Sequence, residues 1–180
     1  MELIEALDST FQHAHKVIAG VEPSQHERPT PCAEWRVRDL LEHMVGVVAG
    51  MGTAASGQER TEFVLSDDPA AQFEAAAAVT MTAWRRPGVL EQIIDGGAGP
   101  MPGQVLASIN LLDTATHAWD LATATGQPAT LPEPVAEAAM AASRQIVTPE
   151  LRPGRFGPEC TPAAGADATD RLVAFLGRTP

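Results

Sequence analysis

The chain has 180 residues, and its 12 basic and 23 acidic side chains leave a net charge of −11 with histidine neutral. That charge repels phosphate backbones, and an aromatic content of 4% without tyrosine removes the usual base-stacking platforms, which argues against a nucleic-acid ligand. The length suits one domain over residues 1–180, and 44% hydrophobic residues fit a globular chain with a real core.

In chain order, Leu3, Leu7, Phe11, Ala14, Ile18 and Val21 carry a helical period over residues 2–21. Residues 22–35 read as a polar, proline-containing loop. Val37, Leu40, Leu41, Met44, Val45, Val48 and Met51 form a second helical stripe. Gly50 and Gly52 weaken its end, and 52–66 reads as a loose connection. Asp67-Asp68-Pro69 is a strong helix start, and Phe73, Ala76, Ala77, Thr80 and Trp84 give that third helix one face. Pro87-Gly88 ends it. The apolar stretch from Val89 to Ile94 suits either a turn of helix or an extended strand, and residues 96–100 are a loop.

A fourth helix begins near Pro102-Gly103 and is closed by Gly126-Gln127-Pro128. A fifth spans Glu133 to Val147. Residues 148–166 are rich in proline and glycine and read as a surface wrap. Asp167 to Asp170 caps a last short helix through Leu176. The sum is an all-α chain, with four long helices bundled over about 1–127 and C-terminal helices and a tail over 128–180.

Two cysteines, Cys32 and Cys160, lie far apart and form no CxxC, so no disulfide framework is expected. The first residues lack a basic region followed by an apolar one, and the longest apolar stretch, Met44 to Met51, is too short to cross a bilayer. These readings predict a reduced, cytoplasmic protein without a membrane partner.

Histidines stand at 13, 15, 26, 43 and 117. His43 lies on the shoulder of the second helix's apolar stripe. Asp113 and His117 are one turn apart on the fourth helix, on the face of Leu106 and Asn110, which points inward. A carboxylate and a histidine facing inward are costly unless a partner compensates them, and a divalent metal does so. Two ligands one turn apart plus a third from a facing helix is a common bundle arrangement, and a His/His/carboxylate set leaves a position open for water or substrate. Zinc, iron, nickel and manganese all tolerate that set. An Asp–His pair at this spacing is equally a common helix-surface ion pair, and His43 alone suits a histidine bonded to a backbone carbonyl. His15 lies near Ile4 and Phe11, whereas His13 points away from the core and His26 sits in a loop.

Asp120 follows His117 by three residues and suits either an acceptor that orients a ligand histidine or a solvated carboxylate. Cys32 precedes the second helix, whose N-terminus can lower a thiol pKa, although burial as a small hydrophobe is the plainer reading. Trp35 and Trp119 suit core or rim packing, with the lining of a pocket as the alternative for either.

Three segments, PTPCAEWRVRDLLEHMVG, DTATHAWDLATATGQP and RPGRFGPE with the closing DRLVAFLGRTP, resemble an actinobacterial metal-binding family. That family is related to the N-terminal domain of mycothiol-dependent maleylpyruvate isomerase, within the DinB/YfiT-like superfamily. The resemblance implies a DinB-like four-helix bundle and a divalent metal, usually zinc, held by His43, Asp113 and His117. It further implies a small-molecule thiol, mycothiol, as co-substrate, and an electrophilic partner for it. The expected activity is that of a metal- and thiol-dependent transferase or isomerase-like enzyme, with the metal holding the thiol ionised. An arginine would suit a carboxylate of the ligands, with Arg36, Arg38, Arg85, Arg86 and Arg155 as candidates. Two further readings stay open: a non-catalytic metal-binding or partner-binding module closed by a fourth ligand such as His15, and a metal-dependent hydrolase holding water. A homodimer is one oligomeric state the sequence allows.

Overall fold

Apolar residues spaced three and four apart build each long element. The computed structural model describes residues 1–32, 35–59 and 62–180. Among these residues the helices are α1 (Leu3–Ala19), α2 (Val37–Ala55), α3 (Pro69–Trp84), α4 (Gly103–Thr125), α5 (Glu133–Ile146) and α6 (Ala168–Phe175). Their ends follow local chemistry. The Asp68 carboxylate accepts the Ala71 N–H at 3.0 Å, and that of Asp167 accepts the Asp170 N–H at 2.9 Å. Gly126 closes α4 in the left-handed region, at φ 75°.

The all-α expectation holds, as a four-helix bundle with extra C-terminal helices. Both α1 and α2 pack on α3 and α4, so these two consecutive helices stand across the bundle from each other. Leu7, Phe11, Leu40, Met44, Phe73, Trp84, Leu106 and Leu111 meet in the core. Helix α5 lies against α4 and α1, and α6 against α5.

The Thr80 hydroxyl donates to the Val48 carbonyl at 2.8 Å, and the Arg86 guanidinium to that of Ala55 at 2.7 Å. Moving forward along α2 therefore moves forward along α3. The two helices run in the same direction, and the Phe63 ring packs beside Gly46 of α2. Among the described residues, no helix is long and apolar enough to cross a membrane.

Four local expectations change. Helix α2 does not loosen at Gly52 but continues to Ala55, because Gly52 lets α3 approach: a Cβ there would sit 3.0 Å from the Thr80 Cα. The ambiguous stretch from Val89 is both helix and strand. A 3-10 turn (Val89–Glu91) precedes β1 (Ile93–Asp95), which pairs antiparallel with β2 (Pro100–Pro102). His13 does not point away from the core. It is half-buried with Nε2 enclosed and unbonded, and burial followed by the Lys16 charge holds its pKa below the ordinary histidine value. The stretch 148–166 is more than a surface wrap. Arg152 donates to the Gly157 carbonyl at 3.0 Å and lies 4.8 Å over the Phe175 ring, which holds the loop against the chain's last turn.

Gly52→Ala is expected to lower stability. The added Cβ forces α2 and α3 apart at a cost of about 1–3 kcal/mol for overpacking, against a helix-propensity gain of at most about 1 kcal/mol. Chemical denaturation checks this, with a lower midpoint at an unchanged slope as the outcome.

Candidate metal centre

The site forms where α2 faces α4. His43 sits near the start of α2, which follows the turn carrying Cys32 and Trp35. The backbone N–H of Arg36 donates to the Asp39 carboxylate at 2.9 Å and fixes that start. On α4, Asp113 and His117 lie one turn apart as their spacing predicts. The structure brings the three together: His43 Nε2 lies 3.1 Å from Asp113 Oδ1, and His117 Nε2 lies 3.6 Å from the same oxygen. The three ligand atoms lie within 4.8 Å of one another. His15 does not join them among the described residues.

Asp120 is fully buried and accepts from His117 Nδ1 at 2.9 Å. It also accepts a forked pair from Arg178, Nε to Oδ1 at 3.1 Å and Nη2 to Oδ2 at 2.8 Å. Burial alone would raise the Asp120 pKa. The bonds from His117 and Arg178 outweigh it, so the carboxyl is held below its ordinary range. An ionised Asp120 can only accept, so His117 Nδ1 carries the proton of this bond and Nε2 is the ring nitrogen turned toward Asp113. Burial likewise opposes ionisation of Asp113, and the His117 charge and the His43 hydrogen bond reverse it, leaving that pKa lowered as well.

These residues fit a divalent cation. Metal bonds of about 2.0–2.2 Å place neighbouring donors about 3.4 Å apart around a tetrahedral ion, close to the 3.1 and 3.6 Å between Asp113 Oδ1 and the two imidazole nitrogens. Asp113 Oδ2 is enclosed without a hydrogen-bond partner among the described residues, which is costly for a carboxylate oxygen that nothing else compensates.

Trp35 roofs the cluster. Its ring centroid lies 4.6 Å from that of His43 and 5.7 Å from that of His117. A cavity of about 440 Å³ opens beside it, walled by Ile109, Leu112, Ile146, Leu151 and Phe156 and reached by Asp113, both histidines, Cys32, Arg155 and Arg178. A second hollow of about 430 Å³ adjoins it and shares Cys32, Gly154, Arg155, Phe156 and Arg178. Of the five candidate arginines, only Arg155 lines these cavities. Arg85 pairs with Asp8, Arg86 donates to Ala55, and Arg36 is bonded to Glu27. Trp119 is buried.

Three features of the site carry no local sequence signal. Arg178 lies in the closing DRLVAFLGRTP segment, 58 residues from its partner Asp120. Cys32 reaches the site: its Sγ lies within 4.8 Å of ligand atoms of His117 and Asp120. The wall over 151–156 comes from the stretch read as a surface wrap. Burial raises the Cys32 thiol pKa, the charges of Asp120 and Asp113 raise it further, and Arg178 offsets them in part.

Fold and site together define a helical-bundle protein with a histidine–carboxylate cluster beside an apolar cavity. The family model described as the mycothiol maleylpyruvate isomerase N-terminal domain matches residues 10–122. Two Mycobacterium tuberculosis proteins, uncharacterized protein MT0763 (strain CDC 1551 / Oshkosh) and uncharacterized protein Rv0738 (strain ATCC 25618 / H37Rv), are each 38% identical over 165 residues. The match covers 91% of this chain and 90% of each relative. The crystal structure of the mycothiol-dependent maleylpyruvate isomerase superimposes with a TM-score of 0.53 at 16% identity, over 77% of this chain and 68% of that one. A variant of that isomerase with one histidine replaced by alanine gives 0.50 at 15% identity, with the same coverage. The chain belongs to the mycothiol maleylpyruvate isomerase N-terminal domain family, and the two solved structures share its fold.

Because the Cys32 pKa is raised, fewer thiolates exist at neutral pH than on an unfolded chain, and only the thiolate is alkylated. Iodoacetamide is expected to label Cys32 more slowly in the folded, metal-free protein than in denaturant at pH 7–8. The half-maximal rate should come at higher pH, as mass spectrometry across a pH series would read.

Proposed function

We propose that His43, Asp113 and His117 hold one divalent cation, zinc being the expected ion, and that the protein is a mycothiol-dependent transferase or isomerase-like enzyme. The observation that carries this reading is the convergence of the three donors beside an open cavity, with the His117 ring locked by Asp120 so that Nε2 faces inward. Once bound, the cation supplies a charge that keeps a thiol ionised near neutral pH.

The chain's own residues do the remaining work. The lowered pKa keeps Asp113 anionic at neutral pH. Trp35 covers the two imidazoles, and Ile109, Leu112 and Phe156 give the reacting region apolar walls that exclude water. Arg155, exposed on the wall shared by both hollows, is placed to receive a carboxylate of the electrophile. Two adjoining hollows suit two small molecules, a thiol and its electrophile. The tail over 128–180 contributes Arg155 and Arg178, so the bundle and tail act as one functional unit. Two free cysteines fit a reducing cytoplasm, where such a thiol is kept reduced.

Purified protein is expected to carry about one divalent ion per chain, as a single three-residue site requires. His43→Ala and His117→Ala should each lose it by elemental analysis while keeping the helical circular-dichroism spectrum. Full metal content in both variants would overturn the site. Mycothiol should raise the melting temperature of the metal-loaded protein and not that of the metal-free one, and equal behaviour of the two would overturn the thiol.

A further inference from the structure

Resting on the metal site proposed above, we propose that Arg178 is a positioning residue that ties the C-terminal tail to that site through Asp120 and His117. A fully buried carboxylate is tolerated only when its oxygens are compensated. Asp120 meets that condition with one bond from within its own helix, His117, and two from Arg178, 58 residues further along the chain. The guanidinium is itself held, because Nη1 donates to the Leu176 carbonyl at 3.2 Å.

The backbone delivers Arg178 by a close approach. Gly177 takes φ +83°, and a Cβ there would sit 2.5 Å from the Gly157 Cα, so the last turn lies directly on the loop that walls both hollows. Arg152 joins the same contact by bonding Gly157 and covering Phe175. One chain of contacts thus runs from the imidazole of His117 through Asp120 and Arg178 to the loop over 151–157.

Coupling along this chain works in both directions. An acceptor fixed on the Nδ1 side holds the imidazole in the tautomer and orientation that present Nε2, and makes that nitrogen a better donor. Ligation at Nε2 fixes the imidazole, and its Nδ1–H then holds the Asp120 carboxylate in the orientation whose two oxygens meet Arg178. By linkage, a tail that favours metal binding is itself held by metal binding. The forked guanidinium is required, because a lysine ammonium supplies the charge but cannot bond both carboxylate oxygens in that geometry.

The test titrates zinc against a chelating indicator and follows hydrogen exchange over 150–180, on the parent, Arg178→Lys, Arg178→Met and His117→Ala. Zinc is expected to slow exchange of the tail in the parent. Both Arg178 variants should bind zinc about 10–100-fold more weakly, the range for a lost orienting partner of a ligand histidine, and should lose that protection. If Arg178→Met fails to fold, Arg178→Lys carries the comparison. A purely structural role would lower the melting temperature while leaving the zinc affinity of the folded variants unchanged, and that result would overturn the inference. If His117→Ala keeps parental affinity, the metal site itself is wrong. If only His117→Ala loses zinc, the site stands and the role of Arg178 falls.

Discussion

The buried Asp120 carboxylate is the constraint on which the rest of the site depends. A charge with no exposure must be met by donors, and the fold meets it from two directions. His117 lies on the same helix and supplies its donor by local geometry. Arg178 comes from the end of the chain and requires the whole tail to return to α4. That return brings the loop over 151–157 onto the site, where it becomes a wall of the cavity. One buried acid near the C-terminal end of α4, answered by His117 and Arg178, therefore links the imidazole's tautomer, the course of the tail and the shape of the pocket.

The bundle around this interaction is arranged to leave that face open. Gly52 and Thr80 let α2 and α3 pack closely along the opposite side of α2. The face of α2 carrying His43 then meets α4, and Trp35 closes the gap between them. The thiol of Cys32 is half-buried at this edge, and that burial, joined by the charges of Asp120 and Asp113, raises its pKa. Its chemistry is set by its neighbours more than by its proximity to a helix start.

Much of this was legible in the residues. The helical stripes are local, so all six described helices could be placed from spacing and caps alone, and Asp68, Asp167 and Gly126 act as their types predict. The Asp113–His117 pair was visible because its spacing is a property of one helix. His43 qualifies as a third ligand from the shoulder of its own stripe, and the family resemblance supports the pairing, since no periodicity says which turns of two helices face each other. Where the reading failed, a distant partner was responsible. The end of α2 looked weak because its glycine stabilises nothing locally, and only the approach of Thr80 explains it. The stretch from 148 onward looked like surface because proline and glycine carry no periodic signal, and its contacts lie with Phe175 and Gly177.

The sequence by itself determined the helices, their caps, the net negative charge, and the pairing of a carboxylate with a histidine on an inward face. Each of these follows from interactions within a few residues or from summed charge. Tertiary structure alone decided that Arg178 answers Asp120, that Trp35 covers both histidines, and that Arg155 rather than four other arginines reaches the cavity. Those choices depend on loop closures over tens of residues. Spacing along a chain carries no record of such closures, because residues far apart in sequence are brought together only by the packing of the elements between them.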